Sequence, residues 1–84
     1  GPMSSTKIQQ HLRRIEGQVK GVQRMVEEDR ACDEILTQIM AVKAALDRVT
    51  QDLVQDNIAS CFDKLPPDEI KAKLARTLGI LAKM

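Results

Sequence analysis

An all-α fold, with two long helices and one short one in each subunit, is predicted by three observations. Helix formers dominate the 84 residues, which include only three prolines and four glycines. The stretch from Cys32 to Cys61 holds neither Gly nor Pro. Its apolar residues Ile35, Ile39, Val42, Leu46, Val49 and Leu53 alternate four and three apart, the spacing of a helix that packs along a seam. Finally, Pro66-Pro67 ends that run, and a separate apolar stripe follows it. Residues 1–84 read as one domain. A chain this small buries only about 60 to 65 % of its unfolded surface, so oligomerisation is expected to complete the core.

Gly1-Pro2 ahead of Met3 reads as the scar of a cleaved tag, and residues 1–5 as a flexible lead. Helix 1 is predicted to begin near Thr6, which forms a capping box with Gln9. Ile8, Leu12, Ile15, Val19, Val22 and Val26 carry the same seam spacing, so this helix packs against the next. Gly17 and Gly21, four apart on one face, suggest close approach of another backbone, with flexibility as the rival explanation. The polar cluster EEDRACDE makes the connection, with Asp29 or a neighbour capping helix 2. In helix 3, Pro67 suits the first helical position and Asp68 and Glu69 the first turn, while Ile70, Leu74, Leu78 and Leu81 form its stripe.

The formal net charge is only +1, but it is unevenly spread. Lys7, Arg13, Arg14, Lys20 and Arg24 face Glu16 alone over the first 24 residues, and an acidic turn follows. Lys7, His11, Arg14 and Gln18 fall on one helical stripe and Arg13, Lys20 and Arg24 on an adjacent one, with Lys43 and Arg48 extending the surface from helix 2. Such a surface suits DNA phosphates, although a basic stripe is more often simply solvated. Neither a helix-turn-helix nor a basic-zipper pattern is present. No apolar run is long enough for a membrane and no signal core is visible, so a cytoplasmic protein with reduced thiols is expected.

Cys32 and Cys61 stand 29 residues apart, roughly 43 Å along a continuous helix, too far for a disulfide within one chain. In a two-fold dimer with this helix antiparallel to its copy, Cys32 of one subunit comes level with Cys61 of the other. Cys32, at a helix N-terminus, is expected to be the better nucleophile and Cys61 the resolving thiol, joined by a disulfide or by a longer sulfur bridge. Small core hydrophobes are the plain alternative for both. A metal site is another: Asn57, four residues before Cys61, would share the place where the thiols meet. Two thiolates suit Cu(I), but an amide is a poor third ligand, and zinc would want four. No basic partner or enclosed pocket supports a sulfurtransferase, so no enzyme is expected, and a helical adaptor without a sensing role is the remaining alternative.

The segment HLRRIEGQVKGVQRMVEE, then Cys32, the run TQIMAVKAAL with Arg48, and the closing NIASC resemble the CsoR/RcnR family of small helical bacterial repressors. The resemblance covers Thr6 to Cys61, and helix 3 more loosely. It implies a tetramer built as a dimer of dimers and a DNA-binding face from Arg13, Arg14, Gln18 and Arg48. His11 stands where many members have arginine, which would weaken operator affinity or make it depend on pH; a neutral surface contact is the plainer expectation. Copper-sensing members carry a histidine where this chain has Asn57. With Asn there, the chain resembles the CstR branch, which implies a repressor that leaves operator DNA when persulfides or polysulfides modify Cys32 and link it to Cys61 of the other subunit, with no resident cofactor. A Cu(I)-responsive repressor using the two thiolates is the alternative.

Overall fold

In the computed structural model, the backbone of residues 3–57 and 62–84 and the side chains of 6–55 and 62–84 are described. Three helices, α1 (Met3–Glu27), α2 (Cys32–Asn57) and α3 (Pro67–Ala82), account for them, with no strand among the described residues. This is the expected all-α subunit of two long helices and a short one. None of the three helices is long and apolar enough to cross a membrane.

The first helix starts earlier than its capping signal. It begins at Met3, so residues 3–5 are helical and Thr6 lies about a turn inside. Serine and threonine cost only a few tenths of a kcal/mol in a helix, which lets the helix run back through Ser4 and Ser5. The glycines behave differently from one expectation as well. A Cβ at Gly17 or Gly21 would meet nothing within 4 Å, so among the described residues no backbone approaches them closely.

Asp29 closes α1 rather than opening α2. Its φ of 54° is left-handed, and two bonds complete the turn: Arg30 N–H donates to the Met25 carbonyl at 3.0 Å and Asp29 N–H to that of Val26 at 3.2 Å. These are the six-to-one and five-to-two bonds of a Schellman motif, with aspartate in the place usually taken by glycine. The chain then reverses, and α2 begins at Cys32 with Asp33 and Glu34 in its first turn, where the helix dipole favours negative charge.

α2 runs back along α1 as an antiparallel hairpin. Each seam divides in two. Ile8, Ile15 and Val22 of α1 and Ile35, Val42 and Val49 of α2 are covered to varying degrees, and Ile15, at 7 % exposure, is the buried hydrophobic residue of the core. The other half of each seam recurs every seven residues, as Leu12, Val19 and Val26 on α1 and Ile39, Leu46 and Leu53 on α2, and stays 37 to 56 % exposed. The hairpin therefore keeps one uncovered apolar side.

Pro66 (φ −58°, ψ 147°) precedes α3, with Pro67 at its start and Asp68 and Glu69 in the first turn. Gly79 does not end the helix, which continues to Ala82. No residue of α3 is buried, and it packs closely on neither long helix. Leu81 and Met84 face Thr50 and Val54 of α2 only across an open hollow of about 370 Å³. The subunit measures 53 × 27 × 17 Å, with a radius of gyration of 16.7 Å, where a compact chain of this length would have about 12 Å. Its accessible surface is 6809 Å², against about 5000 Å² for a compact monomer of the same mass.

Candidate functional site

Opposite the apolar side, the hairpin carries a polar groove. One helical residue advances about 100° around the axis, so His11, Arg14 and Gln18, spaced three and four apart, look across to α2 on the flank away from Leu12 and Val19. With Arg48 of α2 they line an open hollow of about 260 Å³ floored by Ile15 and Ala45. Arg14, Gln18 and Arg48 are exposed. Two guanidinium forks with an amide between them can grip phosphate oxygens bidentately, which a pair of lysines does less well.

The remaining basic residues fall elsewhere. Lys7 lies a turn before His11 on the same stripe and is exposed, without lining the hollow. Arg13 is exposed on the outer side of α1. Lys20 lies 3.6 Å from Glu16 in an exposed ion pair, which contributes little to stability but shares its charge. Lys43 is five residues from Arg48, hence about 140° around the axis, nearer the apolar side than the groove.

Sequence reasoning missed Asp52. Its Oδ2 lies 3.5 Å from His11 Nδ1, with the two side chains 18 % and 25 % exposed respectively. That oxygen is shut off from solvent and has no hydrogen-bond partner. His11 is therefore half-buried against α2 rather than free on the surface, one side of a cross-helix contact at the edge of the arginine hollow. The available signal was the spacing of Asp52, four residues after Arg48 and thus on the same face of α2.

Cys32 lies far from this groove. Cys32 is the first residue of α2, exposed and free, so within the chain it is not a core hydrophobe. Asn57 is the last residue of the same continuous helix, about 38 Å away at 1.5 Å per residue. The Asn57 side chain and the whole of Cys61 lie outside the described residues, and with them the expected meeting of thiols across subunits. Close to Cys32, Arg30 Nε donates to Glu34 Oε2 at 2.9 Å. No group of three or more His, Cys, Asp or Glu is arranged to hold a metal among the described residues, so a metal site at Cys32 needs a donor from beyond them.

Residues 4–83 match a family model described as "Metal-sensitive transcriptional repressor". The chain is 48 % identical over 76 residues to the copper-sensing transcriptional repressor RicR of Mycobacterium tuberculosis, covering 87 % of this chain and 79 % of the relative. It is 51 % identical over 78 residues to the copper-sensing transcriptional repressor CsoR of Bacillus subtilis, covering 92 % of this chain and 77 % of the relative. These findings bear out the family-level resemblance. They overturn the main functional expectation, since both relatives are named for copper and nothing in the match supports reactive sulfur species as the signal or the CstR branch as its home. The substitution of Asn57 for histidine was the ground for that expectation, and one ligand position weighs less than about half the sequence.

Proposed function

Because this chain belongs to the metal-sensitive transcriptional repressor family, and is therefore a DNA-binding repressor and not an enzyme, we propose that it is a repressor that releases operator DNA in response to Cu(I). The observation that carries the reading is a free, exposed thiol at the start of α2 in a chain about half identical to two repressors named for copper sensing. Cys32 and Cys61 are the Cu(I) ligands, one from each of two subunits, because the length of α2 keeps the ends of one chain apart. Bound Cu(I) supplies a soft cation that thiolate sulfur prefers over harder metals. Asn57 adds a weak amide donor at best, so the two sulfurs carry the affinity.

The subunits join through the uncovered seam halves of α1 and α2. The surface excess over a compact monomer, about 1800 Å² per subunit, is more than twice the roughly 800 Å² that a standard interface buries on each partner, and apolar stripes repeating every seven residues suit a four-helix dimer. Two such dimers form the tetramer, with α3 available for the second contact. Arg14, Gln18 and Arg48 of the groove meet the phosphates of the operator, and Lys7 and Arg13 add to the surrounding field. Joining Cys32 to Cys61 across subunits moves α2 against its copy, and the spacing between grooves no longer matches the duplex. A coupling free energy of about 1 to 3 kcal/mol is enough for a 5- to 150-fold loss of affinity.

The test is an operator titration, on a duplex selected from a random pool, with and without stoichiometric Cu(I) under a reducing atmosphere. Cu(I) should release the wild-type protein from DNA and leave Cys32→Ser bound. Release of Cys32→Ser at the same Cu(I) level refutes the ligand assignment, and wild-type protein that stays bound refutes the copper signal.

A further inference from the structure

Among the described residues, one polar side-chain contact joins α1 to α2. The other ion pairs, Lys20 with Glu16 and Arg30 with Glu34, each join residues four apart along the chain. The hydroxyls of Thr37, Thr50 and Thr77 donate to carbonyls four residues back on their own helices. His11 Nδ1 and Asp52 Oδ2, 3.5 Å apart, are the exception.

The rest of the hairpin is held by apolar contact, with Ile15 as its buried hydrophobic residue. Apolar burial is non-directional and tolerates small sliding of one helix along another. A carboxylate oxygen is less free. Asp52 Oδ2 is shut off from solvent and has no hydrogen-bond partner, and it lies just outside the range of about 2.7 to 3.2 Å of an N–H···O bond. A movement that closes the gap to His11 is favoured, and one that opens it strands the oxygen with neither water nor donor, which is costly. The contact therefore holds α2 in register with α1.

Its place along the helices gives that register a use. Asp52 stands five residues before Asn57, about 7.5 Å along α2, toward the end that leads to Cys61. His11 lines the same hollow as Arg14, Gln18 and Arg48. We propose that His11 and Asp52 are positioning residues that couple the Cu(I) site to the DNA face. Through their contact a displacement of α2 carries Arg14 and Gln18 of α1 along with Arg48, so the whole groove shifts. Without it, α2 slides beneath α1, and the α1 half of the groove keeps its place on the duplex.

This inference rests on the proposed Cu(I) response, and the experiment separates the two. Metal-free and Cu(I)-loaded protein is titrated with an operator duplex selected from a random pool. The readout is the ratio of the two affinities, because a substitution that merely weakens the fold or the groove changes both together. For wild type the ratio should be about 5 to 150, and in Asp52→Ala and in His11→Ala it should fall to about 2 or less. Asp52→Asn, which keeps the shape and an acceptor oxygen, should keep most of the wild-type ratio. Linkage requires the duplex to weaken Cu(I) binding by the same factor, so competition with a chromophoric Cu(I) chelator, with and without DNA, measures the coupling a second time. A wild-type ratio in either alanine variant overturns the inference and leaves the copper reading standing. So does a loss in Asp52→Asn as complete as in Asp52→Ala, which would assign the effect to charge and not to the contact. Equal affinities of metal-free and Cu(I)-loaded wild type refute the copper response, and the inference falls with it. Circular dichroism of each variant confirms intact helices, and if Asp52→Ala does not fold, His11→Ala and Asp52→Asn still decide.

Discussion

Leu46 lies at the centre of the uncovered apolar side, 45 % exposed in the isolated subunit, with Ile39 and Leu53 a heptad away on either side. If that side is where two subunits meet, Leu46→Ala removes apolar area that becomes buried only in the dimer. Roughly 80 Å² of a leucine remains exposed here, which at about 25 cal/mol per Å² is worth about 2 kcal/mol. Two-fold symmetry places the residue in the interface twice, so the dimer loses about 4 kcal/mol and its dissociation constant rises roughly a thousandfold. The hairpin itself should survive, because Ile15 and its covered neighbours do not touch Leu46's exposed side. Analytical ultracentrifugation across a dilution series reads the dissociation constant directly, with Gln10→Ala, on the polar outer face of α1, as the control. Equal dissociation constants for Leu46→Ala and Gln10→Ala would refute the assignment of this side to the dimer.

Other consequences can be measured separately. Asp29→Gly should leave stability unchanged or raise it by up to about 1 kcal/mol, while Asp29→Val should lower it by about 1 to 2 kcal/mol, because a β-branched residue resists the left-handed conformation there; chemical denaturation distinguishes them. Ile15→Ala should cost about 2 to 4 kcal/mol, the usual range for truncating a buried aliphatic side chain, visible as a lowered denaturation midpoint with an unchanged slope. Arg48→Ala should weaken DNA binding at every ionic strength and reduce the slope of log affinity against log salt by about 1, the signature of one lost phosphate contact. Lys43→Ala, on the other side of α2, should leave that slope unchanged.

The arrangement of functions follows from the two sides of one hairpin. Residues on the same helix separated by three or four positions share a flank, so α1 turns Leu12 and Val19 one way and His11 and Arg14 the other. A subunit that pairs through the apolar flank necessarily presents its arginine groove outward. The thiol at the start of α2 is placed by length alone, at one end of a rod of 26 residues.

Much of this was legible in the chain. The three helices, the proline start of α3, the seam spacing and the basic stripe all rest on local rules of periodicity, capping and ring geometry, which need only neighbours within a few positions. The family resemblance came from the order and spacing of those same residues, while the inference drawn from Asn57 about the signal went too far, since a single altered ligand does not name what replaces it. Tertiary structure decided what local rules leave open. Seam spacing marks an apolar face but not which half of it is covered within the chain, and only the crossing of α1 and α2 shows Ile15 buried and Leu46 left exposed. Asp29 carries the same residue type whether it caps the helix before it or the one after it, and its backbone turn chose the former. Most of all, His11 and Asp52 are 41 positions apart in the sequence, and no periodic rule connects them. Their meeting is a through-space fact of an antiparallel hairpin, and it turns a histidine that read as surface into a neighbour of the arginines of the polar groove.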